Sequence, residues 1–277
     1  MLGMVSMPNG TVGVEGAGVV TRVGDSECTF VAGEHAFGWI GKNFCSYSMS
    51  LLSAMLHSPA HLTHEEIATM STAWTTVDHA FGPLCANISF DTTILIHTAT
   101  GSVGIAALWL AQSVDACVVA TAGQDRKRVW LTGQAAPMIS TSRDPEQFNT
   151  DLELWFGKLS QPLTTVLNAL SGEFIRISLC HLASGGAFAE LGKREIWSAE
   201  QTAAHRVDAS FVPMDETVME PHITSIHTSV ETRAQTGLYG PLPIQSFSAE
   251  QCSEAFKYLR TAGHIGKVST KSGQCDG

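Results

Sequence analysis

The sequence predicts a doubly wound α/β domain, a parallel sheet with helices on both faces, bracketed by β-rich segments. Three observations predict it. The stretch from Thr93 runs as an apolar β segment, Ile94-Leu95-Ile96, turns through Ala99-Thr100-Gly101-Ser102-Val103-Gly104, and leaves as an Ala- and Leu-rich helix. From there, apolar β runs alternate with helical segments over about a hundred residues. Before and after that region the texture is glycine-rich, with short β-prone pieces.

In chain order, residues 1–70 hold β-prone glycine-rich sequence at Val12–Val23, a turn at Gly33-Glu34 within Phe30–Phe37, and a short strand expected over Phe44–Met49. After Pro59 the pattern changes. Thr63 with Glu66 three residues on has the spacing of a capping box, which predicts a helix through Ala68 and Met70, and a second helix falls around Thr75–Phe81. Strands are expected at Thr93–His97, Cys117–Thr121, Met138–Ser140, Thr164–Leu167 and Ala187–Leu191, with a weaker sixth at Ala209–Val212. Helices are expected at Val103–Gln112, Asp125–Leu131 and Glu173–Leu182. The remainder reads as a helix Glu216–Glu231, a turn-rich Tyr239–Pro243, a strand near Gln245–Phe247, a helix Ala249–Thr261 and a last strand opening at Gly266-Lys267-Val268.

Composition narrows the function. The 277 residues are 44% hydrophobic, enough for a sizeable core, and the formal net charge of −10 argues against a nucleic-acid partner. Seven cysteines stand at 28, 45, 85, 117, 180, 252 and 275 with no Cys-x-x-Cys pair, the usage of reduced thiols in a cytoplasmic compartment. No apolar run is long enough for a membrane span, and the apolar Met1–Val5 is too short for a signal peptide, so the start reads as a cut edge.

Strand, glycine turn and helix in that order form a dinucleotide-binding unit, in which backbone N–H groups at the helix start and the positive end of its dipole meet an anion. Ala99-x-Gly101-x-x-Gly104 is a variant of the three-glycine fingerprint. The expected second strand ends Val119-Ala120-Thr121-Ala122-Gly123, without the acid that binds a ribose 2′-hydroxyl, and Arg126-Lys127-Arg128 follows. That combination favours the 2′-phosphate of NADP, set against the alternative that the three cations are a solvated helix face and with Asp125 close by. His57, His61 and His64 are clustered beside Glu65 and Glu66, but Pro59 interrupts the first pair and no cysteine lobe exists, so no metal is expected. Lys193 follows the fifth strand, at the edge where doubly wound folds bind ligands. It could donate a proton or bind an anion there, or be a solvated loop charge; Asp215 follows the sixth strand toward the same edge.

Taken together, these stretches resemble the enoyl reductase domains of polyketide synthases and animal-type fatty acid synthases, in the zinc-free branch of the medium-chain dehydrogenase/reductase superfamily. The resemblance runs over nearly the whole chain. It is carried by Val14-Glu15-Gly16-Ala17-Gly18, Gly33-Glu34-His35-Ala36-Phe37-Gly38, Leu95-Ile96-His97 through Gly104, Ser142-Arg143-Asp144 and Asn168-Ala169-Leu170-Ser171-Gly172-Glu173. Further on it is carried by Glu190-Leu191-Gly192-Lys193-Arg194-Glu195, Pro241-Leu242-Pro243 and His264-Ile265-Gly266-Lys267-Val268.

The resemblance implies a Rossmann nucleotide-binding domain over 71–238 and a GroES-like, N-terminally truncated substrate domain from 1–70 and 239–277. It implies NADPH-dependent reduction of an α,β-enoyl thioester on an acyl carrier protein, with hydride to the β-carbon and a proton to the α-carbon. Lys193 and Asp215 match the family's proton donors. Gly101, Ser102, Val103 and Gly104 match the pyrophosphate cradle, Lys127 and Arg128 the 2′-phosphate pair, and Asn168 lies toward the nicotinamide. Other synthase domains and a homodimer are the implied partners. The chain departs from the family at Ser102, which replaces a glycine, at Trp74, which replaces a tyrosine, and at its start, where the opening strands and an Asn-Phe-Arg-Asp segment have no counterpart. Two other functions stay in view: a stand-alone quinone or enone reductase, and an inactive nucleotide-binding scaffold.

Overall fold

A computed structural model describes residues 13–24, 29–40, 45–82, 86–158, 161–214 and 219–271. The chain divides into two compact units, one of residues 1–78 with 220–277, the other of residues 79–219.

In the first unit, β1 (Glu15–Val19), β2 (His35–Trp39) and β3 (Met55–His57) form an antiparallel sheet in that order. The strand expected over Phe44–Met49 is not formed in its described residues. Tyr47 and Met49 there are 73% and 91% exposed, and the ladder to β2 is taken instead by β3. Thr63 caps α1 (His64–Ile67) through a capping box with Glu66. The chain breaks before α2 (Ser71–Phe81), so the first expected helix stops at Ile67, short of Met70, and the second starts at Ser71, earlier than Thr75, while ending at Phe81 as expected.

In the second unit, β4 (Thr93–Ile96), α3 (Ser102–Ser113), β5 (Cys117–Thr121), α4 (Asp125–Gly133), β6 (Met138–Ser140) and α5 (Pro145–Phe156) follow one another. Then come β7 (Leu163–Asn168), α6 (Glu173–His181), β8 (Leu182–Glu190), α7 (Ala199–His205) and β9 (Ser210–Pro213). The six strands are parallel in the order β6-β5-β4-β7-β8-β9, the doubly wound arrangement with its switch point between β4 and β7. All four β4 residues are buried, as a parallel strand covered on both faces requires. Leu95, Val119, Val166 and Phe188 from four strands pack with Phe148 and Leu152 of α5 and Phe174 and Ile177 of α6. Each such side chain contributes about 1.5–3 kcal/mol by leaving water. This core holds the strand ends that carry the site.

Returning to the first unit, the helix expected at Glu216–Glu231 is observed, in its described part, as a 3₁₀ turn Glu220–His222 and then α8 (Ile223–Gln235). Pro221, which has no N–H to donate, stands in the 3₁₀ turn between helical Met219 and α8. Parallel strands β10 (Ile244–Ser248) and β11 (Lys267–Lys271) enclose a 3₁₀ turn, Ala249–Gln251, that leads into α9 (Cys252–Arg260). Trp74 stacks on Tyr239 at 4.0 Å and donates its indole N–H to Gly240 O at 2.8 Å. Asp78 accepts from Tyr239 Oη at 2.8 Å, Arg233 Nη1 at 2.5 Å and Ser229 Oγ at 3.1 Å. The tryptophan that departs from the family pattern is thus a core residue of this unit.

Candidate active site

The site is built at the carboxyl ends of the parallel strands of the second unit. Ala99 N–H bonds Thr121 O at 3.0 Å and Gly101 N–H bonds Thr98 O at 2.8 Å, which folds the chain after β4 into a tight turn. Gly101 is the N-cap of α3, and the first helical bond runs from Ile105 N–H to Gly101 O at 2.9 Å. The N–H groups of Ser102, Val103 and Gly104 therefore precede the helical ladder and point out of its start. A Cβ at Gly104 would lie 2.7 Å from both Ala99 Cα and Thr98 O, so helix and turn pack this closely only with glycine there. Ser102, in contrast, is the first residue of α3 and half-buried, where a side chain is accommodated.

Beyond the tip of β5, Lys127 is half-buried on α4, and its amine is held below the ordinary lysine range first by burial and then by the charges of Arg126 and Arg143. Arg143, in the loop after β6, lies over Gly123: a Cβ built there would sit 2.8 Å from Arg143 Nε and 3.0 Å from Ser142 Oγ. Arg128 donates to Ala122 O at 3.2 Å and pairs with Asp125. The structure thus joins Lys127 with Arg143, which the sequence assigned no role, while Arg128 is engaged locally. Arg143 was detectable in principle, because in this strand order the end of β6 neighbours the end of β5.

Under the same strand ends lies a buried polar chain. His97 Nδ1 is 2.6 Å from Asn168 Oδ1, and the Asn168 amide donates to Glu190 Oε1 and Oε2 at 2.9 and 2.7 Å and to Leu170 O at 2.9 Å. Because the amide N–H₂ faces a carboxylate and a carbonyl, its oxygen faces His97, and the imidazole donates through Nδ1. Burial lowers His97 to about 4 and keeps it neutral, opposed by the bond to Asn168. Burial raises Glu190 to about 6, opposed by its bonds from Asn168 and Gly192 and by the charge of Lys193.

Asn168 is fully buried with both ends of its amide occupied, so its side chain positions this edge of the sheet rather than reaching a ligand. The residue expected toward the nicotinamide is thus a buried amide held between His97 and Glu190. Lys193 stands in the loop after β8 with its Nζ donating to Met214 O at 2.9 Å, one residue before Asp215. Asp215 itself lies outside the described residues. His57 bonds Glu231 at 2.7 Å and His64 bonds His35 at 2.8 Å. Among the described residues no group of three or more His, Cys, Asp or Glu side chains could hold a metal ion, and no helix is long and apolar enough to cross a membrane.

No family model matches the chain. A mycoketide-CoA synthase of Mycobacterium tuberculosis is 32% identical over 264 residues, which cover 93% of this chain and 6% of that protein. The solved CurK enoyl reductase is 29% identical with a TM-score of 0.86, covering 95% of this chain and 79% of that one. The chain matches a polyketide synthase enoyl reductase domain. Its superfamily is the medium-chain dehydrogenases/reductases. The solved CurF ER cyclopropanase from the curacin A biosynthetic pathway is similar to the same degree, 29% identical with a TM-score of 0.86 over 94% of this chain and 78% of that one. The chain spans only a small fraction of the synthase it matches.

Proposed function

We propose that the chain performs NADPH-dependent reduction of an α,β-enoyl thioester presented by an acyl carrier protein, as one domain of a cytoplasmic, homodimeric polyketide synthase. The observation that carries this reading is the Lys193 ammonium, held by Met214 O at the same sheet edge as the Gly101–Gly104 turn. The unit 79–219 would bind the cofactor and the segments 1–70 and 239–277 would serve the substrate.

The residues fit a phosphorylated dinucleotide. Three backbone N–H groups lie ahead of the helical ladder at Ser102, Val103 and Gly104, in a turn too tight for a Cβ at Gly104, and they suit a pyrophosphate. The β5 tip carries no acid, and Lys127 with Arg143, supported by Arg128, suits a 2′-phosphate. When bound, the nicotinamide supplies the hydride that reaches the β-carbon. Lys193 then has two tasks: its charge stabilises the thioester oxygen as negative charge develops there, and its N–H delivers a proton to the α-carbon, a role shared with Asp215. Asn168 and His97 act underneath, by fixing the strand ends.

The test is the full synthase module, or the excised domain with its flanking sequence, given NADPH and a crotonyl thioester. Loss of nicotinamide absorbance together with the saturated thioester by mass spectrometry is expected. Product analysis is essential because the likeness to a reductase and to a cyclopropanase is equal. Consumption of NADPH with quinones but not thioesters would replace this reading with that of a quinone reductase. Binding without any turnover would replace it with that of a scaffold.

A further inference from the structure

Four contacts around the end of β8 share one residue. Glu190 Oε1 accepts from Gly192 N–H at 2.6 Å, and Glu190 O accepts from Met214 N–H at 2.8 Å. Both its carboxylate oxygens are held by Asn168, and Met214 in turn accepts the Lys193 ammonium at 2.9 Å. A Cβ on Gly192 would lie 2.7 Å from Glu190 Oε1 and 2.4 Å from Ile196 Cγ2, so the turn closes directly onto the carboxylate. Glu190 is 2% exposed, whereas Lys193 is exposed on the loop it anchors. A buried acid is costly unless its charge is matched, and among the described residues it is matched by N–H donors and the lysine charge.

We propose that Glu190 is the positioning residue of Lys193: its carboxylate grips the Gly192 N–H, fixes the turn between β8 and Lys193, and presents the ammonium at Met214 O. This rests on the proposed proton-donor role of Lys193 for its catalytic consequence, but not for the geometry. The groups facing the carboxylate are the Asn168 amide from β7, the Gly192 N–H and the Lys193 charge from the loop, and, through Asn168, His97 at the end of β4. Because burial places Glu190 near 6, protonation below that pH adds an O–H where only donors face it, and the grip on the turn is released.

The experiment compares wild type, Glu190→Gln, Lys193→Ala and the double variant. Acylation of lysines by acetic anhydride, mapped by mass spectrometry, reads the position of Lys193 independently of turnover. Lys193 is expected to react about threefold faster in Glu190→Gln, the equivalent of one lost hydrogen bond, with exposed Lys158 unchanged. Glu190→Gln is expected to lower kcat about tenfold with KM for NADPH nearly unchanged, to remove an acidic limb near pH 6, and to add nothing on top of Lys193→Ala. Equal labelling of Lys193 in wild type and Glu190→Gln overturns the proposal, as does an undiminished effect of Glu190→Gln in the Lys193→Ala background. If Lys193→Ala leaves kcat unchanged, the donor role fails while the labelling still decides the positioning role. Should Glu190→Gln not fold, Glu190→Asp, which retracts the carboxylate by one methylene, is read by the same labelling.

Discussion

Among the described residues each unit buries one carboxylate in a network of hydrogen bonds, Asp78 in the first and Glu190 in the second, and the two are solved differently. In the first unit, Asp78 meets a guanidinium, a phenol and a hydroxyl, and Trp74 closes over Tyr239. The charge is answered by an opposite charge, and the Tyr239 hydroxyl is driven well above its ordinary range, first by burial and then by Asp78. In the second unit, Glu190 is answered mainly by neutral N–H groups, and Lys193, whose charge bears on it, donates to Met214 O instead. A network that only has to hold a fold together can neutralise its acid. One at the carboxyl ends of the parallel strands leaves its acid to N–H donors, with a lysine charge nearby. The difference is between an acid matched by a counter-ion and one matched by hydrogen bonds.

The largest effect should come from removing the centre of each network. Asn168→Ala strips the buried Glu190 of its side-chain donor and His97 of its acceptor, and is expected to cost about 3–4 kcal/mol. Asp78→Ala leaves Arg233, which is 36% exposed and so partly solvated, and is expected to cost about 2 kcal/mol. Urea unfolding of the two variants checks the order; a larger loss for Asp78→Ala would break the comparison.

The second test is pH. His97 is lowered to about 4 from 6.5, so its neutral burial contributes stability above pH 6.5 that is lost as pH falls through about 4. Glu190 is raised to about 6 from 4.5, so its contribution is full below pH 4.5 and lost as pH rises through about 6. The two oppose each other over the same window, with weights of about 3 and 2 kcal/mol, and wild type should vary by only about 1 kcal/mol between pH 6.5 and 4. Glu190→Gln should uncover the histidine alone, a loss of about 3 kcal/mol on acidification. His97→Gln should uncover the acid alone, a gain. Denaturant midpoints at pH 4, 5 and 6.5 read both; parallel slopes for the two variants would show that the residues do not titrate as this geometry requires.

These networks mark where the sequence was legible and where it was not. The parallel sheet was readable because Ile94–Ile96, Cys117–Thr121 and Met138–Ser140 are apolar runs bounded by turns, and each is observed as a strand. The turn at Gly101–Gly104 was readable because glycine spacing records a close approach of backbone. His97 and Glu190 stand in the sequence only as letters of motifs, because a residue's burial and its partner 71 or 22 positions away leave no local pattern. The side-chain partners of Asn168 are illegible for the same reason. The pairing of Arg143 with Lys127 is illegible because one is in the loop after β6 and the other on α4, and Phe44–Met49, in its described residues, does not form the expected strand because a β-prone pattern alone does not reveal which segment wins the ladder.

A smaller effect is expected at the cofactor edge of the second unit. Arg143→Ala should raise KM for NADPH about tenfold, the value of a charge-assisted bond to phosphate, and leave KM for NADH within about twofold. Lys127→Ala should do the same, and Arg128→Ala less, because its guanidinium is already engaged with Asp125 and Ala122 O. Initial rates with both cofactors check this. An equal loss for NADH would mean that Arg143 supports the loop after β6 rather than selecting a phosphate.

The smallest effect concerns Ser102, where the family has glycine. At the first position of α3 a side chain costs nothing sterically, whereas three helical residues into the same turn Gly104 has backbone 2.7 Å from where a Cβ would stand. Ser102→Gly restores the family's residue but frees the unfolded chain, so it should lower stability by about 0.5 kcal/mol. Because the pyrophosphate is met by backbone N–H groups that glycine and serine share, the affinity for NADPH should change by less than about twofold. Titration of nicotinamide fluorescence with the purified variant measures it. A tenfold gain would mean that the serine side chain obstructs the cradle; a tenfold loss would assign the hydroxyl a bond of its own to the phosphates, and the turn would then be read by side chain as well as backbone.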